Sequence, residues 1–319
     1  MQKIHSVAIV GAGICGLSLG SLLAKSGKSC VLIEKSKSVG GRLATRRNGE
    51  AVFDHGAQFY KNSNERSIFW HQDMKNTQAS QLWFTDEKKI EYYSGTNGMT
   101  QIAKKIKESC ESIVFNERVL KIFKSDDFIN LECESGSCFK AHKVVLTCPL
   151  PQSLEILKSS GLDYPPELDQ ITYAKALVGL FQIGDGFSDT QKSFIYGKNS
   201  IFSIANNQSK KISGVPSFTV VMKPEFSEKN FDLSDDEIIN LIESEFLKET
   251  GLKTEIIFRQ VKKWRYSHPN SIYSNKFYQV KSMPRVFIGG DAFSGASIYG
   301  AVQSAEFIMD FLQQSDQLK

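Results

Sequence analysis

The sequence predicts an α/β fold in which a parallel-sheet domain is interrupted by a second domain of antiparallel sheet plus helices. Three observations carry this. The first 34 residues read strand, helix, strand with glycines at fixed offsets. After Pro149 the texture changes to short apolar runs separated by polar turns. Residues 285–312 then return to a buried strand and a closing helix. At 319 residues with 41% apolar content, the chain has the length and composition of a globular protein with a proper core.

Taken in order, residues 4–10 are a short β-branched run ending at Gly11, which suits a buried parallel strand. Residues 14–25 turn helical until Gly27, and residues 30–33 form a second apolar run, completing a βαβ opening. Residues 95–108, GTNGMTQIAKKIKE, read as a turn and an amphipathic helix with Met99, Ile102, Ala103 and Ile106 on one face. Strand-like alternation follows at 119–133, and residues 143–149 form another buried strand ended by proline. The apolar runs at 176–183, 201–205, 217–222 and 255–261 suit an antiparallel sheet, with NNQSKK as one of its polar turns. Residues 234–250 are the clearest helix. Ser234 and Glu237 make a capping box, Ile238, Leu241, Ile242 and Phe246 a stripe, and Gly251 a C-terminal stop.

Composition narrows the function classes. The formal charge of +4 is spread without a basic block or an interleaved aromatic stripe, which argues against a nucleic-acid partner. The six cysteines form no C-x-x-C pair and no cluster with histidine at metal-ligand spacing, so a reduced, metal-free, cytoplasmic protein is expected. The apolar stretch 7–24 is broken by three glycines and lacks the flanks of a signal peptide or a membrane span.

The chemistry starts at VGAGICG. Gly11, Gly13 and Gly16 form a G-x-G-x-x-G between strand and helix: a tight turn, a backbone that a pyrophosphate can approach, and a close helix–strand contact. Glu34, ending the next strand, is placed to accept from ribose hydroxyls. This predicts a Rossmann-type dinucleotide site and leaves FAD and NAD open. Gly40, Gly41 and Arg42 follow at the distance where flavoproteins of the glutathione-reductase superfamily bring a second backbone segment and an arginine to FAD, and a guanidinium pairs well with phosphate. Arg46 and Arg47 stand nearby, with no carboxylate between Glu34 and Glu50; one of them could meet phosphates or an anionic substrate. Near the C-terminus, a strand ending in Gly289, Gly290 and Asp291 is followed by a glycine-containing loop and a helix. In such flavoproteins the aspartate binds the ribityl and phosphate region, and the helix N-terminus faces the flavin.

Nearly end to end the chain resembles the renalase family, FAD-dependent oxidoreductases with the p-hydroxybenzoate hydroxylase type of fold. The matching stretches are VGAGICG, GGRLATRR, DHGAQFY, NGMTQIAKKI, VVLTCPLPQ, YAKALVGLF, FSIANNQSKK, KKWRYS and GGDAFSGASIYGAVQSA. The resemblance implies a FAD-binding domain at 1–60, 95–150 and 265–319, and a substrate domain at 61–94 and 151–264. It implies FAD contacts at Cys15, Arg42, Ala57 and Gln58; Lys35, Gly41, Val119 and Tyr299 complete the expected cofactor set. It further implies oxidation of the 2- and 6-dihydro isomers of NAD(P) by hydride transfer to FAD, with dioxygen as the second substrate and hydrogen peroxide as product.

No catalytic side chain is expected, because the flavin carries the chemistry. The histidines form no triad, and His55 is the exception to test because it neighbours the flavin segment. Expected substrate contacts are Arg46, Tyr60, Lys223 and Arg265. Lys223 follows Met222 where relatives often carry histidine and small hydroxyl residues, so it is either a strand residue or a new phosphate contact. Arg265, beside Trp264 at a strand end, is either a substrate contact or structural. The alternatives are a FAD-dependent amine oxidase, an aromatic hydroxylase, disfavoured by the absence of a G-D-A-A-H and proline pattern, and a non-catalytic flavin-binding module.

Overall fold

In the computed structural model, which describes residues 3–62, 68–125, 127–184 and 193–317, the run Ile4–Val10 lies inside a parallel sheet. The strand order is Tyr278–Gln279, Val286–Ile288, Cys138–Leu146, Ile4–Val10, Cys30–Glu34, Ile113–Phe115; all pairs are parallel except the first. Every residue of Cys30–Glu34 is buried, as a parallel strand covered on both faces requires. The alternating stretch 119–133 resolves into a hairpin, Val119–Ser125 and Phe128–Cys133, whose second strand runs antiparallel to the first half of Cys138–Leu146. Helices Ile14–Lys25 and Ile298–Gln317 pack together. Ile102, Ala103 and Ile106 are buried along helix Thr100–Lys107, as its 3.6-residue period demands, and Met99 is buried just before it.

The chain divides into two compact units. The first comprises Met1–Gly41, Ala103–Thr172 and Pro269–Lys319, and the second Arg42–Ile102 and Tyr173–His268. These cuts differ from the expected domain limits: 42–60, 95–102 and 265–268 belong to the second unit, and 151–172 to the first. The hairpin Thr45–Asn48 and Ala51–Asp54 packs on the antiparallel sheet through Ala51 and Phe53, which fixes the first difference. The amide of Ile122 donates to Ser160 Oγ at the end of helix Leu150–Ser159, which fixes the last.

The second unit is built on a five-stranded sheet ordered Phe194–Tyr196, Ile201–Asn206, Ser217–Met222, Tyr173–Ile183, Ile256–Pro269. Period-two alternation gives Tyr173–Ile183 two apolar faces. Leu177, Phe181 and Ile183 join Ile238, Ile242 and Phe246 of helix Asp235–Thr250, while Ala176, Val178 and Leu180 meet Ala51 and Phe53. The capping box of Ser234 and Glu237 forms, and Gly251 ends the helix at φ +68°. Leu241, expected in the helix stripe, is 40% exposed, and Ile239 takes the buried position instead. A smaller sheet pairs Tyr60–Lys61, Glu91–Gly95 and Ser80–Thr85.

Candidate functional site

In the first unit the functional atoms are main-chain. Gly11 has φ +104°, and a Cβ there would meet Thr147 Oγ1 at 3.1 Å. At Gly16 a Cβ would lie 2.0 Å from the Gly11 carbonyl oxygen, so only glycine lets the helix close on the strand. Gly13 differs from both: a Cβ there meets nothing within 4 Å, and its φ of −73° suits any residue. It caps helix Ile14–Lys25, whose first-turn N–H groups have no intrahelical partner and carry the positive end of the helix dipole.

The double glycine lies against this turn. Gly40 N donates to Ala12 O at 2.9 Å, Gly40 bridges Gly13, and a Cβ on Gly41 would come 3.5 Å from Gly13 Cα. With φ of +113° and +53°, Gly40 and Gly41 lay a strip of bare backbone beside the open position. Glu34 is buried, its Oε2 accepting from Ala12 N at 2.7 Å and its Oε1 from Ser36 N at 2.8 Å; each oxygen keeps a lone pair for a hydroxyl. Asp291 begins a short helix after Gly290, and Gly290 N donates to Ser304 Oγ. Cys15 and Val119 are buried, and Tyr299 lies in the first turn of the last helix. Lys35 is exposed and donates to Gln152 Oε1.

In the second unit the functional atoms are side chains. Arg42 Nη1 donates to Ser267 O at 3.1 Å and its guanidinium lies 5.8 Å from the Tyr173 ring centroid. The amide of Ala57 donates to Arg42 O, and a Cβ on Gly56 would sit 1.9 Å from that oxygen, so the chain doubles tightly back on Arg42.

Strand Ile256–Pro269 presents alternate residues to one face. Trp264 Nε1 donates to His55 O at 2.7 Å, and its ring stacks on the His55 imidazole at 5.5 Å and 24°. Tyr266 meets Tyr173 edge-on at 5.9 Å. Lys262 shares that parity with Trp264, and Arg46 projects from the hairpin; neither has a hydrogen bond or ion pair among the described residues. Burial first, then the charges of Lys262 and Arg46, hold His55 down to about 4, so it is neutral at pH 7; its Nδ1 is buried with no protein partner. Burial and then Arg46 push Lys262 below its ordinary range.

Other expected contacts fall elsewhere. Arg265 has the opposite parity to Trp264 and its guanidinium lies over Phe231 at 5.7 Å, on the sheet face carrying helix Pro224–Asn230. Tyr60 is buried with its hydroxyl between Ser80 Oγ at 2.6 Å and His71 Nδ1 at 3.2 Å, and burial raises it well above the ordinary tyrosine range. Lys223 sits at the helix cap after strand Ser217–Met222 and donates to Lys198 O. Arg47 donates to Asn97 O.

The sequence reading missed the partner of Asp54. Asp54 and Lys210 form an ion pair at 3.2 Å with both side chains fully buried. Asp54 also accepts from Thr45 Oγ1 and Met99 N, and Lys210 donates to Gln58 Oε1. NNQSKK is a turn, as expected, but Asn206, Asn207 and Lys210 are buried in it. The only signal was the specificity of that stretch in the family resemblance; a polar hexapeptide otherwise reads as solvated.

Among the described residues, no group of histidine, cysteine and acidic side chains could hold a metal ion, and no helix is long and apolar enough to cross a membrane. None of the six cysteines is joined in a disulfide. Residues 9–72 match an NAD(P)-binding Rossmann-like domain, and residues 61–307, well over half the chain, match the family described as flavin containing amine oxidoreductase. A 44-residue segment, 14% of this chain, is 52% identical to an L-amino acid oxidase of Cerastes cerastes and spans only 8% of that relative. Among solved structures, a putative protoporphyrinogen oxidase from Exiguobacterium sp. 255-15 superposes with TM-score 0.77 at 14% identity, covering 99% of this chain and 100% of its own. A redesigned putrescine oxidase follows at TM-score 0.72 and 14% identity, with 98% and 99% covered. At such identity these two likenesses concern the fold.

Proposed function

The chain belongs to the flavin containing amine oxidoreductase family and its cofactor is FAD, and from that premise we propose that it oxidises the 2- and 6-dihydro isomers of NAD(P) to NAD(P)⁺. The first unit fits the cofactor. An open position at Gly13, a bare strip at Gly40 and Gly41, and a buried acid at Glu34 are what a pyrophosphate and a ribose need. In this reading Gly11, Gly13, Cys15, Gly16, Glu34, Gly41 and Asp291 hold FAD, with Val119, Tyr299 and Lys35 at its margins. Arg42, joined covalently to Gly41, extends the same segment. Ala57 and Gln58, the other expected contacts, belong to the second unit, where the Gln58 amide is occupied internally. When bound, FAD supplies the electron sink that takes hydride from the substrate and passes the electrons to dioxygen, giving hydrogen peroxide.

The substrate reading rests on one observation: Arg46 and Lys262 stand close enough to depress Lys262, and neither forms an ion pair among the described residues, the acid that partly offsets the depression, Asp235, being paired with Lys263. The nearby carboxylate, Asp54, is neutralised by Lys210 inside the fold. Such a face attracts the phosphates of a dinucleotide and repels a protonated amine. Trp264, Tyr266 and Tyr173 offer ring surfaces for a planar base or nicotinamide. His55, neutral at pH 7, accepts a hydrogen bond without adding positive charge beside a ring that becomes cationic on oxidation. No side chain has to move a proton at the reacting carbon, because hydride leaves the ring directly; the residues position the substrate and exclude water. Arg265, Tyr60 and Lys223 have no part in this face.

The amine oxidase reading keeps equal footing at the level of family, and the same aromatic rings would suit an uncharged amine. Anaerobic mixing of the yellow protein with borohydride-reduced NAD, with NADH and with an amine panel separates the two. Rapid flavin bleaching by the reduced-NAD mixture but not by NADH, with peroxide formed on admitting air, is the expected result. Bleaching by amines alone would replace it with the amine oxidase reading. No bleaching by any reductant would leave a non-catalytic flavin-binding module.

A further inference from the structure

Lys210 is the most deeply buried cation described, and the proposed function asks of it only that it neutralise Asp54. Its side chain is 0% exposed and lies 4.6 Å from the Trp83 ring centroid. Burial lowers its affinity for a proton and Asp54 raises it, so the ion pair is held against a large desolvation cost. Replacing a buried pair by apolar residues of similar shape commonly costs nothing, so neutralising Asp54 does not by itself explain a lysine here.

The contacts of Gln58 supply a reason. Its Nε2 donates to the Asp54 carbonyl at 2.7 Å and to the Gly56 carbonyl at 3.1 Å, while its Oε1 accepts from Lys210 Nζ at 2.9 Å. A side-chain amide can rotate by half a turn and exchange its donor and acceptor ends. The Lys210 donor forbids that exchange, because it would set two N–H groups against each other. The amide therefore always points its donors at the carbonyls that flank His55. Lys210 is itself fixed: Gln81 Nε2 donates to its carbonyl at 2.6 Å, Ser209 Oγ accepts from Trp83 Nε1, and Asn206 Oδ1 accepts from the amides of Gln208 and Ser209.

We propose that Lys210 is a positioning residue: by fixing the Gln58 amide it holds the 54–58 turn, and through that turn it sets His55 against Trp264 on the ligand-binding face. The inference rests on the reading of that face as the substrate side, but its test need not.

The primary readout is the titration of the His55 C2 proton by NMR in FAD-loaded protein, which uses no substrate. Two variants are compared with wild type. Gln58→Met removes the amide and leaves the ion pair; the double variant Asp54→Asn/Lys210→Met removes the charges together and should fold even where Lys210→Met does not. In wild type, burial and the charges of Arg46 and Lys262 keep the His55 midpoint near about 4, with the Asp54 charge cancelled by Lys210. In both variants the turn loosens, water reaches the ring, and the midpoint moves upward by about one unit or more towards the ordinary 6.5. Binding of NAD⁺, the probe for the substrate side, weakens about tenfold, as misplacement of a positioning segment produces. An unmoved His55 midpoint in both variants overturns the proposal and leaves Lys210 a charge-neutralising residue. If wild type fails to bind NAD⁺, the substrate reading fails alone, and the histidine titration still decides what Lys210 does.

Discussion

The glycine turn of the first unit and the polar turn of the second solve opposite problems. Around Gly13 the chain keeps side chains out: Gly11, Gly16, Gly40 and Gly41 leave a surface of main-chain atoms, and the position that faces outward has no neighbour within 4 Å. Around Asp54 the chain brings side chains in, closing Gln58, Trp83, Asn207 and Lys210 from water beside a half-buried Thr45. A backbone cradle depends on steric permission and tolerates no Cβ where elements touch. A buried polar cluster depends on every donor finding its acceptor and tolerates no missing partner.

The largest effect tests the steric half. Gly16→Ala places a methyl 2.0 Å from the Gly11 carbonyl oxygen and should cost more than about 4 kcal/mol, measured as loss of the cooperative thermal transition. A stable, yellow Gly16→Ala protein would mean that helix and strand separate more easily than their contact implies. Lys210→Met alone tests the partner half. It strands a buried carboxylate and should cost about 3–5 kcal/mol in urea unfolding, most of it recovered in Asp54→Asn/Lys210→Met. Equal losses in the single and double variants would show that the cavity, and not the charge, dominates.

Acid tests the same unit more gently. His55 has a folded-state midpoint of about 4 against 6.5 when exposed, so the unfolded chain binds the proton first as pH falls. Its contribution is therefore present in full above pH 6.5 and lost between there and about pH 4, by roughly 2–3 kcal/mol. His55→Gln should flatten that part of the stability–pH profile, and an unchanged profile would assign the acid sensitivity to other groups. Gly13→Ala should change stability by less than about 1 kcal/mol, because its methyl meets no protein atom. The folded protein should nevertheless be colourless, since the methyl stands where the pyrophosphate approaches. A yellow Gly13→Ala protein with full flavin content would remove that assignment. Leu241→Lys, on the exposed side of its helix, should fall within about 0.5 kcal/mol of wild type, whereas Ile239→Lys should not.

The cradle was legible because its information is local. Gly11, Gly13 and Gly16 sit within one turn of chain, between a β-branched run and a helical period, and the double glycine follows the next strand. Even so, the spacing alone does not separate the glycine that must be bare for packing from the one that must be bare for a ligand; the distances at Gly16 and Gly13 do. The capping box at Ser234 was legible for the same reason, while Leu241 stands outside the buried stripe because Ile238, Ile239, Ile242 and Phe246 centre that stripe on the other side of the helix.

By itself, then, the sequence determined the strand–helix–strand opening, the antiparallel second sheet, the helix ends and the dinucleotide turn, all of which follow from backbone preference and short-range periodicity. Only the tertiary structure decided that Arg265 faces away from Trp264, that the Tyr60 hydroxyl is enclosed, and that Lys210 meets Asp54 across 156 residues of chain. A strand's period says that neighbours alternate without saying which face meets the ligand. Likewise a lysine in a polar turn carries no mark of burial until a distant carboxylate closes over it.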